Sequence, residues 1–67
     1  MYRTVFEFET KEDASVLIGL ISSTLLEWNA KDNKVFIHEE LEEDAIYNKD
    51  TYLNILEEKE IYVFCSI

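Results

Sequence analysis

Several residue types that build catalytic, metal-binding or membrane-spanning structures are scarce in this 67-residue chain. Cys65 is the only cysteine, which excludes an intramolecular disulfide and leaves no Cys/His set for a structural zinc. Gly19 is the only glycine, so the chain has no glycine-rich phosphate-binding loop. The longest apolar run, residues 16–21, is far shorter than the ~20 residues that span a bilayer. These absences favour a small domain in a reducing, cytoplasmic compartment.

Basic residues are also few, because six lysines and arginines oppose fifteen aspartates and glutamates, for a net charge of −9. The imbalance is local: residues 1–38 carry a net −2 and residues 39–60 a net −7. Phosphate backbones and anionic membranes repel such a chain, so we expect neither direct nucleic-acid binding nor membrane binding. An apolar content of 48% is nonetheless too high for a disordered acidic tail, and residues 1–67 are expected to fold as a single domain.

The order of strands and helices is predicted from hydrophobic periodicity. Residues 2–8 alternate with a period of two, which is typical of a strand. Thr10 begins a capping-box pattern, and the apolar residues that follow it at helical spacing predict a helix over residues 11–28. The same criteria assign residues 29–33 to a polar turn, residues 34–38 to a short strand and residues 61–67 to the last strand.

Residues 39–60 fit two predictions. As one helix, they gather their acidic residues opposite an apolar face made of Leu41, Ala45, Tyr52 and Leu56. In the alternative, Asp50 caps a shorter helix and residues 44–47 form an extra strand that pairs with residues 34–38. Like charges crowded into a tight turn disfavour the extra strand, whereas the missing cap before Leu41 disfavours the single helix.

Both alternatives give an α+β fold in two layers, a two-layer sandwich of two helices and a small three- or four-stranded sheet. The single helix gives the order β-α-β-α-β, and the broken helix gives the β-α-β-β-α-β order of a ferredoxin-like plait. Helices on the same side of the sheet would leave an apolar interface on the other side, whereas one helix on each side would bury it. The candidate interface residues are Val5, Phe36, Tyr62 and Phe64, with Val16 and Leu20 on a second flank of the first helix.

Motifs that carry chemistry are incomplete in this chain. His38, Glu39 and Glu40 do not have a metal-ligand spacing, and the HExxH pattern fails at Glu42. The acidic run also lacks the glycine of an EF-hand calcium loop. Cys65 has no catalytic motif around it. We therefore expect a protein that is not an enzyme and that uses no metal and no cofactor.

The acidic block has three interpretations: a solvated face, a docking face for a basic protein, or a mimic of nucleic-acid phosphates. In size and composition the chain resembles several phage-encoded anti-restriction and anti-CRISPR proteins. We expect a small binding or inhibitor protein, phage- or mobile-element-encoded, that docks on a basic nuclease, polymerase or CRISPR complex. The residues expected to bind this partner are Glu39, Glu40, Glu42, Glu43, Asp44, Asp50, Glu57 and Glu58.

The alternative function is that of a structural or accessory subunit, in which the acidity serves solubility. Such a protein would assemble through an aromatic sheet face, with a homodimer as one form of assembly. Phe36 and Tyr62 would then anchor the interface, because aromatic side chains carry much of the binding energy at such contacts.

Overall fold

The computed structural model describes all 67 residues, which form a two-layer α+β fold. Its elements are β1 (Tyr2–Phe8), α1 (Lys11–Ile21), β2 (Glu27–Lys31), β3 (Lys34–Glu39), α2 (Glu42–Glu58) and β4 (Val63–Ser66). The four strands form one antiparallel sheet in the order β2-β3-β1-β4. The predicted α+β class is therefore confirmed, and the chain has the β-α-β-β-α-β order of a ferredoxin-like plait.

The extra strand lies elsewhere than predicted. The prediction of a strand over residues 44–47 is wrong, because this segment lies inside α2, and the prediction of a helix cap at Asp50 is wrong for the same reason. α2 agrees with the single-helix alternative, and it begins after Leu41 without a side-chain cap. The β-α-β-α-β order that accompanies the single helix is also wrong, since β2 adds a strand before β3.

α1 ends at Ile21, so the prediction of a helix over residues 11–28 is wrong in its last two turns. The Thr24 hydroxyl donates to the Ile21 carbonyl at 2.6 Å and accepts from the Leu26 amide at 3.2 Å. Such bonds satisfy backbone groups at the helix end and compete with a further helical turn. Trp28 therefore packs against the core from β2 instead of from the helix.

The polar turn predicted over residues 29–33 narrows to Asp32 and Asn33, which connect β2 and β3. Asp32 has a φ of 56°, a backbone conformation that aspartate tolerates better than most residues do. The Asn33 side-chain amide donates to the Phe8 carbonyl, and the Phe8 amide donates to the Asn33 carbonyl at 2.8 Å. The turn is therefore attached to the end of β1 at two points.

The core lies on one side of the sheet. Buried side chains of β1 and β3 alternate with more exposed ones, and both helices contact the buried side. The alternative with one helix on each side is therefore wrong, and the other side of the sheet has no helix over it. The fully buried apolar cluster consists of Phe6, Phe8, Ala14, Leu17, Ile21, Val35, Ile37 and Leu56.

α2 ends in a Schellman motif, a helix terminus that usually contains glycine. The Ile61 amide donates to the Leu56 carbonyl, and the Glu60 amide donates to the Glu57 carbonyl, both at 3.0 Å. Glu60 has a φ of 59°, a left-handed conformation in which the Cβ atom lies too close to the following carbonyl oxygen. Its carboxylate also lies at the negative end of the helix dipole.

Glu60→Gly is expected to raise the free energy of unfolding by ~0.5–1 kcal/mol, because glycine relieves both the steric and the dipole terms. Urea denaturation measures the change. Glu60→Ala is the matched control, since it removes the charge but keeps a Cβ in the left-handed conformation. A glycine variant no more stable than the alanine variant would contradict the steric argument.

Thr4 is the one polar residue in the core, and replacing it tests the cost of its hydroxyl. Thr4 is 2% exposed, and its hydroxyl oxygen has no hydrogen-bond partner. Thr4→Val keeps the shape of the side chain, so we expect it to stabilise the fold by ~1 kcal/mol in thermal or urea unfolding. Thr4→Ser keeps the hydroxyl and loses a methyl group, so it should destabilise the fold by ~1 kcal/mol. Destabilisation by valine would show that the hydroxyl is bonded.

Candidate functional site

The exposed acidic residues concentrate on the outer side of α2. This helix turns Ala45 and Leu56 into the protein, so its opposite side faces solvent. Glu43, Asp50 and Glu57 follow one another at intervals of seven residues, which places them in line along that side, ~10 Å apart. We call these three residues the acidic row. The other exposed acidic residues of the predicted set are Glu40, Glu42, Asp44 and Glu58.

Glu39 differs from the other acidic residues in the predicted set. It is half-buried at the end of β3, and its carboxylate accepts a hydrogen bond from the Asn48 side chain in α2. Burial raises the pKa of the Tyr52 phenol, and the Glu39 charge raises it further. Glu39 therefore connects β3 to α2, and it lies in a packed contact instead of on the solvent side of the helix.

The side of the sheet away from the helices, called here the open sheet face, carries three rows of side chains that the strand register defines. The central row, from β2 to β4, is Asn29, Phe36, Val5 and Ser66. The row on one side of it is Glu27, His38 and Arg3. The row on the other side is Lys31, Lys34, Glu7 and Phe64.

Aromatic side chains are prominent on the open sheet face. Phe64 is 72% exposed, and Tyr62, which precedes β4 and lines a shallow pocket with Phe64 and Glu7, is 80% exposed. Phe36 is half-buried beneath Arg3, whose guanidinium carbon lies 5.3 Å from the ring centroid. Val5, Phe36 and Phe64 thus share the open sheet face, whereas Tyr62 lies at its edge and also lines a pocket with Glu57 of α2.

Val16 and Leu20 have a different environment. Both are half-buried in α1 and pack against the core cluster. They contribute to the internal packing of the protein and do not form an exposed apolar flank.

The open sheet face is nearly neutral, although the protein carries −9. It holds three basic and two acidic residues, a net of +1, and the rest of the chain, with three basic and thirteen acidic residues, carries −10. The charged residues of this face are Arg3, Lys31, Lys34, Glu7 and Glu27.

Sequence reasoning missed Glu27 and Lys31 as residues of this face because it assigned residues 27–31 to a helix end and a turn. A signal was present. Trp28 and Ala30 alternate with polar residues, and Asp32 and Asn33 follow as turn formers, a pattern typical of a hairpin.

Cys65 and His38 lie on opposite sides of the sheet. Cys65 pairs with Phe6, whose side chain is in the core, whereas His38 pairs with Arg3 on the open sheet face. The His38 Nε2 atom lies 3.3 Å from the Asn29 Oδ1 atom. The sheet separates the thiol from the imidazole, so they do not form a nucleophile and base pair. No group of three or more histidine, cysteine or acidic side chains is arranged to hold a metal ion.

The fold and its two surfaces define a small α+β protein with an acidic helical side and a nearly neutral aromatic sheet side. Neither helix has both the length and the apolar character needed to cross a membrane. Comparison of the chain with protein-family models, with curated proteins and with solved structures finds no match. A function must therefore be argued from the two surfaces.

The Cys65 thiol is expected to react slowly with iodoacetamide at neutral pH. Burial raises its pKa, while the Lys49 charge lowers it and the Asp50 charge raises it. The pH midpoint of alkylation should therefore lie above that of a free thiol. Asp50→Asn should lower this midpoint and Lys49→Gln should raise it, whereas Glu58→Gln serves as the control and leaves it unchanged. Equal midpoints in all variants would contradict the electrostatic assignment.

Proposed function

We propose that the protein is a non-enzymatic binding or inhibitor protein that docks through α2 on a basic protein surface. The acidic row is the observation that carries this proposal, because it presents three exposed carboxylates in line on a helix held by the core. Groups on a rigid element lose little freedom on binding. Complementary potentials also speed association and fix the orientation of the partner.

Solubility alone does not explain how the charge is distributed. A small domain is kept soluble by a net charge of magnitude ~2–8 spread over both signs. Here residues 39–60 concentrate a net −7 in one part of the chain, where the carboxylates repel one another. A basic partner would relieve this repulsion, which supports docking as the role of the acidic side.

The charge density of α2 favours docking over full mimicry of DNA. The helix carries six acidic residues over 17 residues, or about 25 Å at 1.5 Å per residue. This is about one charge per 4 Å, whereas duplex DNA carries one per ~1.7 Å. A basic nuclease, polymerase or CRISPR complex fits this chemistry if α2 occupies part of its phosphate-binding surface.

A second candidate function is that of a structural or accessory subunit that assembles through the open sheet face. The exposure of Phe64 and Tyr62 favours it, since adjoining exposed aromatic residues mark interaction surfaces. The acidic side would then keep the assembly soluble. The acidic row and the three rows of the open sheet face lie on opposite sides of the sheet, and the two surfaces adjoin only where Tyr62 and Glu57 line one pocket.

Neutralising the acidic row tests the first proposal. The variant is Glu43→Gln, Asp50→Asn and Glu57→Gln together, applied to a partner captured from lysate at low salt and then purified. We expect affinity for that partner to fall at least ~10-fold, because several charge contacts are lost at once. We also expect duplex DNA to compete for the same partner, and salt to weaken binding by the native protein.

The matched control neutralises three exposed acidic residues elsewhere: Glu9→Gln, Glu12→Gln and Asp32→Asn. It has the same net charge as the acidic-row variant, so it should bind the partner as the native protein does. Equal losses in both variants would show that only net charge matters. If both variants still bind the partner in high salt, docking through the acidic row is excluded.

A further inference from the structure

We infer that the open sheet face binds a second copy of this chain to form a symmetric dimer. The two-fold axis lies between the two sheets, runs perpendicular to the strands and follows the central row. The inference names the partner in the second candidate function, on which it rests, and it is independent of the acidic row. It uses the central row and the charged residues of the face, and it leaves Phe64 and Tyr62 at the edge of the pair with no residue directly opposite them. Each strand would lie antiparallel over its own counterpart, in the aligned packing of two sheets.

Charge distribution favours this face for self-association. Two chains of −9 repel each other least where they are nearly neutral, and the open sheet face carries +1 against −10 for the remainder. Contact through this face puts both α2 helices on the outside of the pair. The two helical layers are then three layer spacings of ~10 Å, or about 30 Å, apart. This distance exceeds the ~8 Å Debye length at physiological salt.

Four of the five charged residues of the open sheet face meet an opposite charge in the second copy, and the fifth, Lys34, faces His38. β1 carries Arg3 at one end and Glu7 at the other, and β2 carries Glu27 at one end and Lys31 at the other. Because the axis reverses strand direction, Arg3 faces Glu7 of the second copy. Glu27 likewise faces Lys31 of the second copy. Symmetry repeats each opposite-charge pair on the other side of the axis.

The central row suits a position on a two-fold axis, where each residue meets its own copy. A charged residue there would face a like charge, but Asn29, Phe36, Val5 and Ser66 are all uncharged. Phe36 would pack on Phe36 and Val5 on Val5 at the centre, with the polar pair toward the edges. This contact requires Arg3, which lies over the Phe36 ring in the single chain, to turn toward Glu7 of the second copy. An apolar centre inside a charged rim is the usual anatomy of a protein interface.

The size of the face predicts a dimer of modest affinity. Four strands at ~4.8 Å and about six residues at ~3.4 Å give a face of roughly 19 by 20 Å. Such a face amounts to about 380 Å² per copy, or about 760 Å² in total, which is below the ~1,200 Å² of standard specific interfaces. We therefore expect a weak dimer with a dissociation constant in the high micromolar range. Analytical ultracentrifugation of the native chain from ~1 to ~500 μM should therefore show a monomer–dimer equilibrium.

Charge-reversal variants test the register of this dimer. Arg3→Glu alone and Glu7→Arg alone should each weaken dimerisation at least ~10-fold, because each places like charges together twice by symmetry. An equimolar mixture of the two variants should form a heterodimer as tight as the native dimer. In the mixture, the introduced glutamate faces the introduced arginine, and the native Glu7 faces the native Arg3.

Glu7→Arg places a positive charge beside Lys34, and this variant could fail to fold for that reason. In that case Glu27→Lys and Lys31→Glu make the same test on β2. Lys11→Glu is the control for charge reversal away from the face, and it should dimerise as the native chain does, apart from the small effect of net charge. Circular dichroism verifies the fold of each variant.

Three outcomes would overturn the inference. The first is a native chain that stays monomeric over the whole range. The second is a mixture that associates no better than either variant, because an axis parallel to the strands would set Arg3 against His38 and Glu7 against Lys34 instead. The third is a Lys11→Glu variant that is weakened as much as Arg3→Glu. None of these outcomes affects partner binding by the acidic row, which a monomer can also perform.

Discussion

Both helices pack on the same side of a four-stranded sheet, and the buried apolar cluster lies between these two layers. β1 and β3 supply side chains to this layer from the sheet, and α1 and α2 supply the rest. The orientation of α2 follows, because turning Ala45 and Leu56 inward turns the acidic row outward. The open sheet face follows from the same packing, since neither helix remains to cover it. The two candidate surfaces are thus consequences of one single-sided core.

Features set by nearby residues were predictable from the sequence. β1 spans the predicted residues, and Thr10 accepts the predicted capping bond from the Asp13 amide at 3.1 Å. β2 was missed because Trp28 also continues the apolar spacing of α1, and this helical spacing was preferred to the alternation of Trp28 and Ala30 with polar residues. The hydrogen bond from the Thr24 hydroxyl to the Ile21 carbonyl ends that helix, and a hydrophobic pattern does not register such a bond.

In the candidate surfaces too, the features set by nearby residues were predictable and those set by distant contacts were not. The exposed side of α2 follows from helical spacing once the single helix is chosen, and Phe64 follows from the alternation in β4. Glu27 and Lys31 take their place beside β3 only through strand pairing, which joins parts of the chain by register and not by local pattern. Glu39 was placed with the binding residues because its charge is visible in the sequence, whereas its bond to Asn48 is not.

The two surfaces make different demands on a partner. A partner that docks on α2 meets the same acidic row in a monomer and in a two-fold dimer, so its intrinsic affinity does not depend on self-association. The dimer would present two such rows facing outward, and a partner with two basic sites at matching spacing would gain from the raised effective concentration. A partner that docks on the open sheet face would instead compete with the second copy, so its apparent affinity would fall as protein concentration rises. The concentration dependence of partner binding therefore separates the two surfaces without any substitution in either.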